Sequence, residues 1–253
     1  MQALSFDMLL NCDIGESFGP WKMGQDEEIM PLIDWANIAC GGHAGDPDTM
    51  ARTLALAAHH GVKAGAHPGY PDKRNFGRVR QDVLWESLVN EVQAQIGALM
   101  ALAQVQGITL HHVKPHGALY NAMMEDWGLL VRLAKAVAAL DPDLVFVLQA
   151  TPDRQRHEMA LQNTGLKLAF EAFADRAYRP DGRLKSRTVQ GSVLTNPDDV
   201  MNHVARLREG YVDTSEGEIA IEADTLCVHG DNPRTLEAVR RIRALIPQED
   251  RIP

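Results

Sequence analysis

A chain of 253 residues that is 45% hydrophobic, 23% charged and 6% aromatic has the length of one large α/β domain, a class in which barrels of about 250 residues are common, or of two small domains. Its formal net charge of −9 speaks against nucleic acid or an anionic membrane surface as a partner. Cys12, Cys40 and Cys227 form an odd, sparse set at the ends of apolar runs and read as reduced thiols. Met1–Leu10 has no basic start and no run approaches about 18 apolar residues, so no membrane span is expected and the expected compartment is the cytoplasm.

Seven short apolar runs predict buried strands, at Phe6–Cys12, Trp35–Cys40, Val62–Ala66, Thr109–Lys114, Leu144–Leu148, Leu166–Phe170 and Thr225–Val228. Between them, Leu84, Leu88, Val92, Ile96 and Leu99, and then Leu129, Leu133, Ala136, Val137 and Leu140, recur at the spacing of a core-facing helical stripe. Asp46-Pro47, Thr151-Pro152, Asn196-Pro197 and Asn232-Pro233 predict helix starts. In each, a side-chain acceptor caps an orphan N–H and proline takes the first helical position. Gly61, Gly107, Gly165 and Gly210 mark helix stops. Two segments break the alternation: polar, basic Tyr178–Gln190 reads as an exposed loop or hairpin, and Tyr211–Ala223 as a hairpin on one barrel edge. Strands alternating with helices imply a parallel sheet. With no linker, repeat or low-complexity segment, residues 1–253 are expected to form a single domain.

Ligands of α/β barrels bind at the C-terminal ends of the strands, and there this chain concentrates its polar residues. The first strand is followed by Asn11, Asp13 and Glu16, the second by Gly41-Gly42-His43-Ala44-Gly45, and the third by His67. The fourth ends in Lys114 and His116, the sixth in Glu171, Asp175 and Arg176, and the seventh in His229 and Asp231. Asp13 and Glu16 suit paired carboxylates that bind a cation or divide acid and base roles, although a lone Asp there would cap a turn. The 41–45 run reads equally as an anion cradle or as a tight βα turn. His43, His67, His116 and His229 at convergent turns raise acid–base work or metal ligation over the single satisfied histidine. His59, His60, His111 and His112 read as structural. Lys114, closing a buried strand, demands a carboxylate or an anionic substrate. It would hold that anion, polarise a carbonyl or act as a base, or else only bridge to Asp13 or Glu171. The cysteines read as small core residues. No Walker A run and no G-x-G-x-x-G following a strand is present.

Six motifs in order, LNCDIGE (10–16), ANIACGGHAGDP (36–47), GAHPGYPD (65–72), VKPHGALY (113–120), EAFADRAY (171–178) and CVHGD (227–231), closely resemble the LamB/YcsF family over almost the whole chain. Gly42 stands where Phe is common and Ser192 where Ala is common. The resemblance implies an irregular, seven-stranded TIM-like β/α barrel of the glycoside hydrolase/deacetylase type. It also implies ATP-dependent opening of 5-oxo-L-proline to L-glutamate, with ADP and phosphate, by a 5-oxoprolinase in which this chain works with subunits B and C; which of the three binds ATP is left open. Within that chemistry, Lys114 and the 41–45 turn are expected to hold anionic groups, Asp13 with His67 or His229 to activate water, and His116 to assist the leaving nitrogen. Asn11, Glu16, Gly42, His43, Gly45, Glu171, Arg176 and Asp231 are expected around the substrate. Lys114→Met or Asp13→Asn is expected to abolish turnover without unfolding the chain. Two rival readings remain: a metal-dependent deacetylase or amidohydrolase with a divalent ion on Asp13, His43, His67 and His229, and a non-catalytic component that binds a small acid.

Overall fold

A computed structural model describes residues 8–229 and 233–246. In chain order the elements are β1 (Leu9–Ile14), α1 (Asp26–Ile29), β2 (Trp35–Ala39), α2 (Pro47–His59), β3 (Lys63–His67), α3 (Trp85–Val105), β4 (His112–Val113), α4 (Gly117–Glu125), α5 (Trp127–Leu140), β5 (Val145–Gln149), α6 (Arg154–Leu161), β6 (Lys167–Phe173), α7 (Pro197–Arg208), β7 (Tyr211–Thr214), β8 (Gly217–Ala220), β9 (Thr225–Val228) and α8 (Pro233–Leu245). Seven parallel strands close a barrel in the order β1-β2-β3-β4-β5-β6-β9, and β7 and β8 form the antiparallel hairpin expected from the sequence. No helix among the described residues is long and apolar enough to cross a membrane.

Local chemistry explains most of the boundaries. Asp46 Oδ1 accepts from Thr49 N–H at 2.8 Å and Asn196 Oδ1 from Asp198 N–H at 3.0 Å, as their Asx-Pro sequences require. Gly61, Gly107, Gly165 and Gly210 all take positive φ where the preceding helical turns end. Thr151-Pro152 does not start its helix. Thr151 Oγ1 instead accepts from Asp153 N–H at 3.3 Å, and α6 begins two residues beyond Pro152. The predicted strand Thr109–Lys114 shrinks to two residues, although His111 and Lys114 still donate N–H groups to Ala64 and Ala66 on β3. Pro115, without an N–H, stops it there. The Asn232 cap and the first two residues of the Phe6–Cys12 run lie outside the described residues.

Alternation along the strands sends one set of side chains outward to the helices and the other into the barrel. Outward, Leu10, Cys12, Ile14, Ile38, Val113, Phe146 and Leu226 join the main hydrophobic core with Leu54, Leu88, Val92, Ile96, Leu99, Leu129, Leu133 and Val137 from the helices. Truncating any one of the large aliphatic members to Ala costs about 2–5 kcal/mol. The predicted α3 stripe holds except at Leu84, which precedes the helix and is exposed. Inward, the lowest layer is a small apolar cluster of Trp35, Val147 and Ala169, packed by Leu9 and Val145. Above it the interior turns polar. Glu171, expected beyond its strand, stands inside β6, because that strand runs on to Phe173.

Candidate active site

A polar column rises through the barrel from Trp35 toward the C-terminal mouth. The His111 and His112 rings lie on Trp35 at 4.7 and 5.0 Å, and His112 Nε2 donates to Asn37 Oδ1 at 2.7 Å. Gly65 must be glycine here, since a Cβ would stand 2.2 Å from His112 Nε2. Asn37 Nδ2 donates to Asn11 Oδ1 and to Asp13 Oδ1, each at 2.8 Å, and Asn11 Nδ2 donates to Thr225 Oγ1 at 3.0 Å. His112 is therefore structural as expected, and it also orients the amide that holds Asp13. Burial first, then His111, keeps its pKa well below the ordinary histidine value.

At the top of the column Lys114 Nζ stands 2.9 Å from Asp13 Oδ1 and 2.9 Å from Glu171 Oε2, with Asn11 Oδ1 at 3.3 Å and Cys227 Sγ at 3.2 Å. An ammonium has three N–H donors, so these neighbours use them all and leave none for a substrate anion. Burial would lower its pKa, but Asp13, Cys227 and Glu171 outweigh burial and hold it well above the usual lysine value. Lys114 is thus placed as a cation between two carboxylates, and of the expected roles the bridge to Asp13 and Glu171 is the one this geometry favours. Asp13 Oδ2 also faces His67 Nε2 at 3.3 Å. Burial alone would raise the Asp13 pKa, yet His67 and Lys114 keep it well below the carboxylate range. Tyr120 lies against Glu171, its hydroxyl held protonated by burial and then by that carboxylate. The three cysteines are buried and form no disulfide, and burial pushes the Cys40 thiol up to about 12. Cys227, read from sequence as core, belongs to the site through Lys114.

Two histidine arrangements flank this centre. His229 Nδ1 lies 3.0 Å from Asp175 Oδ2; burial lowers its pKa, but Asp175 more than reverses that, so the net shift is upward. Asp13, Cys227 and His229 bring donor atoms within 4.8 Å of one another, a span that one bridging water fits. On the other side, His67 Nδ1 donates to the Lys114 carbonyl at 2.6 Å and His116 Nε2 donates to the Phe76 carbonyl at 3.0 Å. The remaining nitrogens, His67 Nε2 and His116 Nδ1, face each other at 2.9 Å. In two neutral rings these would be two lone pairs in opposition. A metal ion held by both nitrogens would remove that opposition, and outer N–H groups anchored on backbone carbonyls are what metal-ligating histidines require.

The expected ion on Asp13, His43, His67 and His229 is regrouped by the structure. Glu16, His43, His67 and His116 converge within 4.8 Å, whereas Asp13 and His229 fall into a second set with Cys227, where the Lys114 ammonium already supplies the cation. His43 stacks on His116 at 3.6 Å with the planes 3° apart. Parallel rings at that distance do not aim in-plane lone pairs at one ion, so His67, His116 and Glu16 fit a metal and His43 does not join them. His43 is fully buried, its pKa held well below the ordinary value by burial and then by His67.

A cavity of about 640 Å³ opens above these groups, lined by Asp13, Glu16, His67, Lys114, His116, Phe173, Arg176 and His229, and by Arg78, Arg179, Arg183 and Arg187 at its mouth. Gly42, His43 and Gly45 do not line it. A Cβ on Gly42 would meet the Gln95 amide at 2.5 Å, and one on Gly45, at φ +78°, would meet the Ala39 carbonyl at 2.9 Å. Gly41 N–H closes the turn on the Ala44 carbonyl at 2.8 Å. The tight-turn reading of the 41–45 run is the one this geometry favours. Asn11 and Glu171 lie beneath the cavity, and Asp231 lies outside the described residues. A roomier hollow of about 820 Å³ beside α6 gathers no comparable set, because its Arg154 is already paired with Glu158 and Asp224.

The sequence profile of the LamB/YcsF family matches residues 8–252. The chain belongs to that family. The A-type subunit of 5-oxoprolinase from Thermococcus sibiricus is 46% identical over 244 residues, 95% of this chain and 94% of that protein. One of the A-type subunits of 5-oxoprolinase from Pseudomonas putida, that numbered 2, is 49% identical over 238 residues, 93% of this chain and 92% of that protein. The crystal structure of a lactam utilization protein from Thermus thermophilus matches with a TM-score of 0.85 at 41% identity, over 94% of this chain and 96% of that one. In this LamB/YcsF chain, sequence reasoning gave no site role to Asn37, Tyr120 and Cys227, or to the arginines of residues 179–187. The polar members of the strand alternation Asn11, Asp13 and Asn37 were the available signal for the first of these.

Proposed function

We propose that the chain is the lactam-opening component of an ATP-dependent 5-oxoprolinase, converting 5-oxo-L-proline to L-glutamate together with subunits B and C. The observation that carries this reading is Asp13, ionised between Lys114 and His67 and within one water of the His229–Asp175 pair, in a chain whose relatives at 46% and 49% identity are named as A-type subunits of 5-oxoprolinase. The water in that gap is oriented by Asp13 and gives its proton to neutral His229, whose other nitrogen Asp175 fixes. Hydroxide adds to the lactam carbon, the C–N bond breaks, and the ring nitrogen leaves with a proton returned by His229. His116, whose two ring nitrogens face His67 and the Phe76 carbonyl, supports His67 instead of meeting the nitrogen directly. An unstrained lactam resists hydrolysis, so coupling to ATP, by phosphorylation of the lactam oxygen, supplies the drive; C–N cleavage then leaves an acyl phosphate, which a second water hydrolyses to glutamate and phosphate. No Walker A run is present in this sequence, and that step is assigned to a partner chain. The buried cysteines, none of them in a disulfide, fit a cytoplasmic protein.

A second reading, a metal-assisted hydrolase, is favoured by the opposed nitrogens of His67 and His116. A divalent ion held there with Glu16 would polarise the amide oxygen and acidify a bound water. One assay tests both: glutamate release by the chain, alone and with subunits B and C, with and without ATP and with and without EDTA, alongside metal analysis of protein purified without chelator. ATP-dependent release only in the full set is expected, and its loss in Asp13→Asn. Full turnover by Asp13→Asn would sink the assignment of the site.

A further inference from the structure

Residues 176–188 carry five cations (Arg176, Arg179, Arg183, Lys185 and Arg187) against one carboxylate, Asp181, a local charge of +4 in a chain of net −9. The segment is anchored. Tyr178 is buried and its hydroxyl accepts from Phe173 N–H at 2.9 Å, while the Arg176 guanidinium donates to the carbonyls of Lys185 at 2.6 Å and Ser192 at 3.3 Å. Arg176 is only 6% exposed, yet among the described residues no carboxylate stands within ion-pair distance of it; the adjacent Asp175 is committed to His229. A buried guanidinium bonded to carbonyls, with its charge offset only by an Asp175 that also serves His229, is under-compensated. Burial, and then the second guanidinium of Arg187, pulls the Arg176 pKa down to about 10, and Asp175 offsets this only in part. Arg187 likewise forms no ion pair with the described residues, and Arg179 and Arg183 share Asp181 at 2.6 and 3.8 Å. All four arginines line the same cavity as Asp13 and His229, with Ser186 and Thr188 beside them.

Asp13 and Glu171 stand against Lys114, and Asp175, paired with His229, offsets the charge of Arg176 and Arg187 only in part. A substrate carboxylate brings one charge and two oxygens and neutralises one guanidinium. Two guanidiniums whose only offset is an Asp175 paired with His229, and two that share Asp181, match a dianion with three acceptor oxygens. We propose that residues 176–188 form a phosphoryl-binding subsite, in which Arg183 and Arg187 grip the oxygens and Arg176 supplies buried counter-charge. This deepens the lactam-opening reading and rests on it for the source of the group, which is either a phosphorylated lactam or a nucleotide.

The test is isothermal titration of the whole chain, at low salt and neutral pH, with inorganic phosphate, acetyl phosphate, ATP and acetate, repeated for Arg183→Gln and Arg187→Gln. Phosphate is expected to bind about tenfold more tightly than acetate, and each variant to weaken phosphate about tenfold while leaving acetate unchanged. Arg187→Lys keeps the charge but not the fork and is expected to fall between, which separates the subsite from a general field. Acetyl phosphate binding at least as tightly as ATP points to a substrate-borne phosphoryl group, and the reverse order to a nucleotide. Acetate binding as tightly as phosphate, or wild-type phosphate affinity in both glutamine variants, would overturn the subsite. Phosphate binding through the strap in a chain that releases no glutamate with any partner would overturn the lactam reading and leave the subsite standing.

Discussion

On the floor of the cavity the buried charges are paired: Lys114 Nζ lies 2.9 Å from Asp13 and from Glu171, with the His67 ring 3.3 Å from Asp13. On the strap formed by residues 176–188, Arg176 is buried almost as deeply, hydrogen-bonds only to carbonyls and has its charge offset only in part by Asp175. Strands built the first arrangement. Their alternation forces side chains from β1, β6 and the end of β4 into one small volume, where an unpaired charge would cost several kcal/mol. A loop built the second, and its charge is left for something that arrives. Saturated charge marks the part of a site that is held still, and uncompensated charge the part that waits for a ligand.

The sharpest way to break this contrast is Lys114→Met, which strands Asp13 and Glu171 in the barrel. A loss of about 3–5 kcal/mol of stability in urea denaturation is expected, together with loss of glutamate release. The sequence alone led to the expectation that this variant does not unfold; the two carboxylates on one ammonium add the expectation of a large loss of stability. Wild-type stability would mean that the floor is not the paired cluster described above.

Next in size is Asp175→Asn. Turnover should fall by roughly 10²–10⁴-fold as His229 loses its orienting partner. The sign of the accompanying pH effect follows from the shift: Asp175 raises the His229 pKa, and the base form is needed, so activity is lost on the acid side as pH falls through that raised value. Removing the carboxylate lowers the pKa and moves the acid limb to lower pH. A pH–rate profile with an unmoved acid limb would remove His229 from the base role.

The smallest effect belongs to the strap. Arg187→Gln touches no ion pair of the described residues, so its stability should stay within about 0.5 kcal/mol of the parent. A drop as large as that of Lys114→Met would show that the strap's charge is structural.

Much of this molecule was legible before folding. Alternating apolar runs, the Asx-Pro starts at Asp46 and Asn196 and the glycine stops at Gly61 and Gly210 are local signals, and each fixed an element because caps and periods act within one turn. The clustering of Asp13, His67, Lys114, His116 and His229 was legible too, since parallel strands place their C-terminal ends together. What each polar group does there was decided only by tertiary structure. Lys114 meets Asp13 across 101 residues of sequence and Cys227 across 113, and no local pattern shows that its three donors will be consumed. The glycines of the 41–45 run could cradle an anion or close a turn until Gln95 and the Ala39 carbonyl were packed against them. Chain order and local propensity determined which residues reach the mouth of the barrel; long-range pairing of donors, acceptors and charges determined which of them remain free to act.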